Sequence, residues 1–149
     1  MSRLNKFSKS DLMNIKITYN GEIFRFNLYD EVRISEASLN KEIKVQPSYY
    51  GFISMLHTRI TNDYNRLLHK RDLIGDKLFL RAKKTLVNGR FTSDDVATKT
   101  MATHPKYVAL EDKVLATKAT LNILNTCLKS FEQRKDLLQT LASNIRRQV

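Results

Sequence analysis

Residues 48–87 contain no proline and only two glycines, Gly51 and Gly75, and their apolar side chains recur at helical spacing. At steps of about 100°, Ile53, Leu56, Ile60, Tyr64, Leu67, Ile74, Leu78 and Ala82 fall within one arc of about 80°. The pattern predicts one helix from about Ser48 to Val87, roughly 60 Å long. That is too long for a compact globule of 149 residues, so the stripe needs another long helix to lie against. A second predicted helix, from about Pro105 to Arg147, supplies it. Its heptad-like seam reads as Tyr107, Val114, Leu121, Leu128 and as Leu110, Thr117, Leu124, Phe131, Leu138, Ile145. Two antiparallel helices do not close a core by themselves, which favours homo-oligomerisation. Leu121, Leu124, Leu128, Phe131 and Leu138 are the expected interface positions.

Residues 13–29 read as a β-hairpin around Asn20-Gly21, a strong two-residue turn signal. Pairing Tyr19 with Glu22 sets Ile17 opposite Phe24, Ile15 opposite Phe26 and Met13 opposite Leu28. All six then share one face, while Lys16, Thr18, Arg25 and Asn27 take the other. Such a hairpin is marginal alone, so this face must pack on helices or on another subunit. Ser35-Glu36-Ala37-Ser38 can open a short helix ending at Ile43, before Pro47-Ser48 restarts the chain. Asn88-Gly89 reads as a helix stop, Ser93 with Asp94-Asp95 as a new helix start, and His104-Pro105 as a break with Thr103 a possible cap. The expected organisation is a flexible basic arm (1–11), a β-hairpin with a short helix (12–47) and a long helical hairpin (48–149). The fold class is mainly α, a long antiparallel helical hairpin with a small N-terminal β-hairpin.

The chain carries 26 Lys and Arg against 15 Asp and Glu, a net charge of +11. The excess is concentrated in residues 59–90, which hold nine Lys and Arg against three Asp, a net +6. Arg59, Arg66, Lys70, Lys77, Arg81 and Lys84 occupy an arc of about 60° beside the apolar stripe, with Asp63 at its edge. The density peaks in Leu80-Arg81-Ala82-Lys83-Lys84 and again at Arg90. A basic face of this kind solvates a helix or holds a polyanion, most often nucleic acid. Residues 59–90 with no base-reading helix point to phosphate contacts, with Phe79 and Phe91 as the aromatic candidates for a single strand. A membrane-surface helix fits less well, because the apolar stripe lacks Trp and is interrupted by Arg71. Arg71 instead calls for a buried or inter-subunit ion pair, or a snorkelling side chain.

No catalytic constellation stands out, and no enzyme activity is expected. His57, His69 and His104 lack metal-ligand spacing with one another or with Cys127, and no cofactor is implied. Cys127 reads as a small packing group; as the single cysteine it forms no intrachain disulfide and fits a reducing, cytoplasmic setting. Glu42-Ile43-Lys44 echoes the end of a nuclease motif without the upstream Asp, and no glycine-rich loop cradles a nucleotide. No apolar run spans a bilayer and no signal-peptide pattern is seen.

Leu80-Arg81-Ala82-Lys83, followed at matching spacing by Asn88-Gly89-Arg90, resembles the basic motif of the UvsY-type recombination mediators of tailed phages. The acidic restart at Ser93-Asp94-Asp95 and the long helix from about Tyr107 to Ile145 fit the same layout, so the likeness covers roughly residues 48–149. The resemblance implies a ring-like homo-oligomer, of about six to seven subunits, that binds single-stranded DNA. It also implies that the ring helps a RecA-like recombinase replace single-strand-binding protein, in the host cytoplasm if the chain is phage-encoded. Arg81 and Lys83 take the places of the family's two basic DNA-binding residues, with Arg90 an accessory contact. Lys84, Lys77, Lys70 and Arg66 extend the basic surface. Lys84, Thr85 and Leu86-Val87 depart from the pattern, adding charge and removing aromatics. On a regular helix Arg81 and Lys83 point about 160° apart, which implies unwinding there or contacts shared between subunits. A structural or adaptor oligomer of a phage assembly, binding an acidic protein, is the alternative reading.

Overall fold

The computed structural model describes residues 13–148, so the expected basic arm lies outside the described residues. Strands β1 (Asn14–Tyr19) and β2 (Glu22–Asn27) pair antiparallel with Tyr19 opposite Glu22, Ile17 opposite Phe24 and Ile15 opposite Phe26. This is the register the alternation predicts. Asn20 and Gly21 have φ of 50° and 80°, the left-handed pair that suits a tight hairpin turn. The ladder ends earlier than expected. Asn27 accepts the Asp30 N–H at 3.2 Å and caps a short helix, α1 (Leu28–Val32). Leu28 still donates to the Met13 carbonyl at 2.8 Å and buries its side chain, whereas Met13 is exposed.

A 3-10 turn at Glu36–Ser38 runs directly into α2, Leu39–Lys83, a helix of 45 residues. The expected break at Pro47-Ser48 does not occur. An internal proline costs about 3 kcal/mol and disfavours helix at the residue before it. Here that residue, Gln46, is clamped at both amide atoms. Its Nε2 donates to the Phe131 carbonyl at 2.8 Å, and its Oε1 accepts from Arg134. Arg134 also pairs with Glu42 at 3.1 Å, one turn earlier, and Tyr50 donates to Glu132 at 3.0 Å, one turn later. Tertiary contacts on both sides of Pro47 carry the helix through it.

The other end of α2 is also corrected. The helix stops at Lys83, and Asn88-Gly89 is a hairpin turn rather than a helix stop. It joins two very short strands, β3 (Leu86–Val87) and β4 (Arg90–Phe91), with φ of 52° and 74° at the turn. Helix α3 (Asp94–Ala102) follows, its Ser93 cap accepting the Val96 N–H at 3.4 Å as the sequence indicates. Thr103 closes α3 instead of opening the next helix. His104 Nδ1 accepts the Lys106 N–H at 3.2 Å, at the start of α4 (Pro105–Gln148).

Among the described residues two compact units share the long helices: residues 13–58 together with 120–148, and Arg59–Ala119. The boundary crosses α2 and α4 rather than falling near residue 47, because α2 is unbroken there. In the first unit Ile17, Leu39, Ile53 and Leu56 are buried with Leu121, Leu124, Cys127, Phe131 and Leu138 of α4. Tyr49 stacks on Phe131 at 6.1 Å, and Phe24 meets Phe52 edge-on at 5.5 Å, tying the hairpin to α2. In the second unit Ile60, Ala82, Ala97, Leu110 and Val114 are buried. Tyr64, Leu67, Ile74 and Leu78 are half-buried there, so the apolar stripe of α2 faces inward over its whole length.

The seam of α4 departs from expectation in three places. Cys127 is fully buried while Leu128 is only half-buried, Arg134 occupies a core position, and Ile145 is 51% exposed. Leu121, Leu124, Phe131 and Leu138, read as interface positions, are consumed by the chain's own core.

Candidate nucleic-acid interface

The Lys- and Arg-rich end of α2 belongs wholly to the second unit. The helix stays α-helical to Lys83, with Lys84 N–H donating to the Leu80 carbonyl at 3.2 Å, and tightens only beyond it, where Thr85 N–H reaches the Ala82 carbonyl at 3.1 Å. Unwinding therefore does not reconcile Arg81 with Lys83, and the two side chains do different things. Lys83 is half-buried: its Nζ donates to the Thr92 carbonyl at 2.9 Å and pairs with Asp94 at 2.7 Å. Thr92 in turn bonds to the Thr85 carbonyl through its N–H at 3.3 Å and its hydroxyl at 2.8 Å. Lys83 thus ties the end of α2 to the β3–β4 ribbon and the first turn of α3.

Arg81, Lys84 and Arg90 are exposed, as are Lys70 and Lys77 along the preceding turns. Among the described residues no ion pair engages any of these five. Arg66 is exposed with a loose contact to Asp63 at 3.9 Å, and Arg59 is exposed as well. The sequence stripe is therefore a solvent-facing row of cations, with Lys83 turned away from it. Two of the nearby acids are engaged away from the row, whereas Asp63 lies at its edge against Arg66. Asp94 is taken by Lys83, and Asp72 is taken by Arg71, which also reaches Glu111 at 3.0 Å. These two carboxylates hold the Arg71 guanidinium charge firmly, so the anomalous arginine of the apolar stripe closes an ion pair inside the chain.

Exposed cations set in a row can neutralise phosphates and release counterions. Burial pushes the Cys127 thiol up, away from the reactive thiolate. Among the described residues no group of three or more His, Cys, Asp or Glu could hold a metal ion, and no helix is long and apolar enough to cross a membrane. The ribbon is hidden in the sequence because Asn-Gly serves equally as a helix terminator and as a hairpin turn. Its flanks, Leu86-Val87 and Arg90-Phe91, carry the same hairpin signal as Asn20-Gly21 in shorter form.

No protein-family model matches this chain, and a search of the curated proteins finds no relative. Among solved structures, the fold matches that of the bacteriophage T4 recombination mediator protein UvsY with a TM-score of 0.65. The match covers 81% of this chain and 91% of that one at 13% sequence identity. The chain has a UvsY-like fold: mainly helical, with long helices and a small N-terminal antiparallel hairpin.

Proposed function

We propose that this chain, built on the fold of a recombination mediator, is itself a non-enzymatic mediator. It binds single-stranded DNA without sequence preference and promotes loading of a RecA-like recombinase in place of single-strand-binding protein, working as a homo-oligomer. The observation that carries the reading is the set of exposed cations Arg81, Lys84 and Arg90 at the end of α2. Arg81 and Arg90 hold positions of that family's sequence motif, on a fold shared with one of its members, and Lys84 adds a charge that the motif lacks. Lys70 and Lys77 extend the phosphate track along α2. Lys83 serves differently from its motif neighbour, by positioning the ribbon that presents Arg90.

The test is fluorescence anisotropy of a labelled single-stranded oligonucleotide across a salt series, for wild type and for Arg81→Ala/Lys84→Ala/Arg90→Ala. Affinity is expected to fall steeply with salt, and the triple variant to bind at least roughly tenfold more weakly at unchanged helicity and particle size. Absence of binding near physiological salt by an intact protein would refute the mediator reading. It would leave the basic row to an acidic protein partner.

A further inference from the structure

Phe91 is 74% exposed, the most exposed of the large apolar side chains among the described residues. It lies on a ribbon of two residues per strand, directly opposite Leu86, which is 59% exposed. Aromatic rings carry a large apolar surface and are normally buried, so holding one in water calls for an explanation. This ring is held there deliberately. The left-handed Asn88-Gly89 turn fixes the ribbon, two hydrogen bonds from the Thr92 N–H and hydroxyl to the Thr85 carbonyl close its base, and Lys83 donates to the Thr92 carbonyl. Phe79, the other aromatic in this region, is half-buried in the helix pair and takes no part.

We infer that Phe91 is a stacking platform for an unpaired base, supported across the ribbon by Leu86. This deepens the mediator reading and rests on it, since the phosphates must first be held by the cations. The chemistry is complementary. Arg90 precedes Phe91 in β4, so the two side chains leave opposite faces of a narrow ribbon, and a strand held by its phosphates on one face can turn an unpaired base over the edge onto the ring on the other. Stacking on a π-face is indifferent to base identity but needs a base free of its duplex partner. The ring therefore supplies a preference for single strands that phosphate contacts alone do not give.

The chain contains no tryptophan, which makes a direct test possible. Phe91→Trp introduces a single indole, and Phe91→Leu keeps apolar bulk without a π-face. Each variant and wild type would be titrated with an oligothymidylate and with an abasic deoxyribose-phosphate oligomer of the same length. Wild type is expected to prefer the oligothymidylate. Phe91→Leu should lose roughly 5- to 100-fold on it while binding the abasic oligomer unchanged. The Phe91→Trp fluorescence should be quenched by the first ligand and not by the second. Equal binding of both oligomers by wild type, with Phe91→Leu unchanged and Phe91→Trp unquenched, would overturn the platform and leave the phosphate grip standing. Failure of both oligomers to bind at all would overturn both readings. Smaller particles in Phe91→Leu with unchanged oligonucleotide affinity would assign the ring to a protein contact and likewise overturn the platform.

Discussion

Arg134 is the costliest residue in the chain to bury. Its side chain is 6% exposed, it pairs with Glu42 at 3.1 Å and donates to Gln46, and its Nε finds no partner among the described residues. Removing one member of a buried pair strands the other charge, at a cost of about 3 to 5 kcal/mol. Glu42→Gln should therefore lower the unfolding free energy at neutral pH by about 3 kcal/mol, read from urea denaturation. The pH dependence follows from the same carboxylate. The Ser38 hydroxyl at 2.5 Å, with the Ser35 N–H and Arg134 adding to it against the cost of burial, holds Glu42 below the usual carboxylate range. A group depressed on folding contributes stability that is complete above its unfolded value and is lost as pH falls through its folded value. Wild type should weaken on acidification through and below the ordinary glutamate range. Glu42→Gln should weaken less over that window, and parallel acid limbs would show that the carboxylate is not the linked group. Gly75 makes a separate case. A Cβ there would meet Tyr107 Cε2 at 3.1 Å and Met101 Sδ at 3.3 Å, so the glycine admits the ring that closes the second unit. Gly75→Leu should cost about 1 to 3 kcal/mol by overpacking, although leucine is the better helix former.

At the scale of elements, Lys83 and Arg81 separate structure from binding. Lys83→Ala removes the donor to the Thr92 carbonyl and the partner of Asp94, loosening the ribbon at about 1 kcal/mol. Its DNA affinity should fall together with its melting temperature. Arg81→Ala should lower affinity alone, since Arg81 is exposed and makes no ion pair among the described residues. Equal stability in the two variants would remove the pinning role assigned to Lys83. Sequence periodicity located the facing stripes of α2 and α4 and the register of β1 with β2, because each rests on many side chains obeying one period. It missed what single tertiary contacts decide. Pro47 reads locally as a break, and only the clamp on Gln46 from residues 131 and 134, far along the chain, overrides it. The split between Arg81 and Lys83 was visible as an angle. Which of the two stays in solvent depends on Thr92 and Asp94, whose positions a helix wheel does not contain.

At the scale of the whole molecule, the proposed binding of a single strand can be measured for its reach along α2 by its salt dependence. Each phosphate neutralised on a single strand contributes about −0.7 to the slope of log affinity against log salt. If only Arg81, Lys84 and Arg90 hold phosphates, each subunit engaged should contribute about −2. If Lys70 and Lys77 also take part, the contribution rises to about −3.5. Lys70→Ala/Lys77→Ala distinguishes the two. It should flatten the slope if the track runs along the helix, and leave both slope and affinity alone if the strand touches only the end. The stacking contribution of Phe91 is uncharged and should shift the line without tilting it. A flattening in Phe91→Leu would mean that the ring acts by orienting Arg90 rather than by receiving a base. The slope and the intercept therefore divide the surface into its electrostatic and its stacking parts.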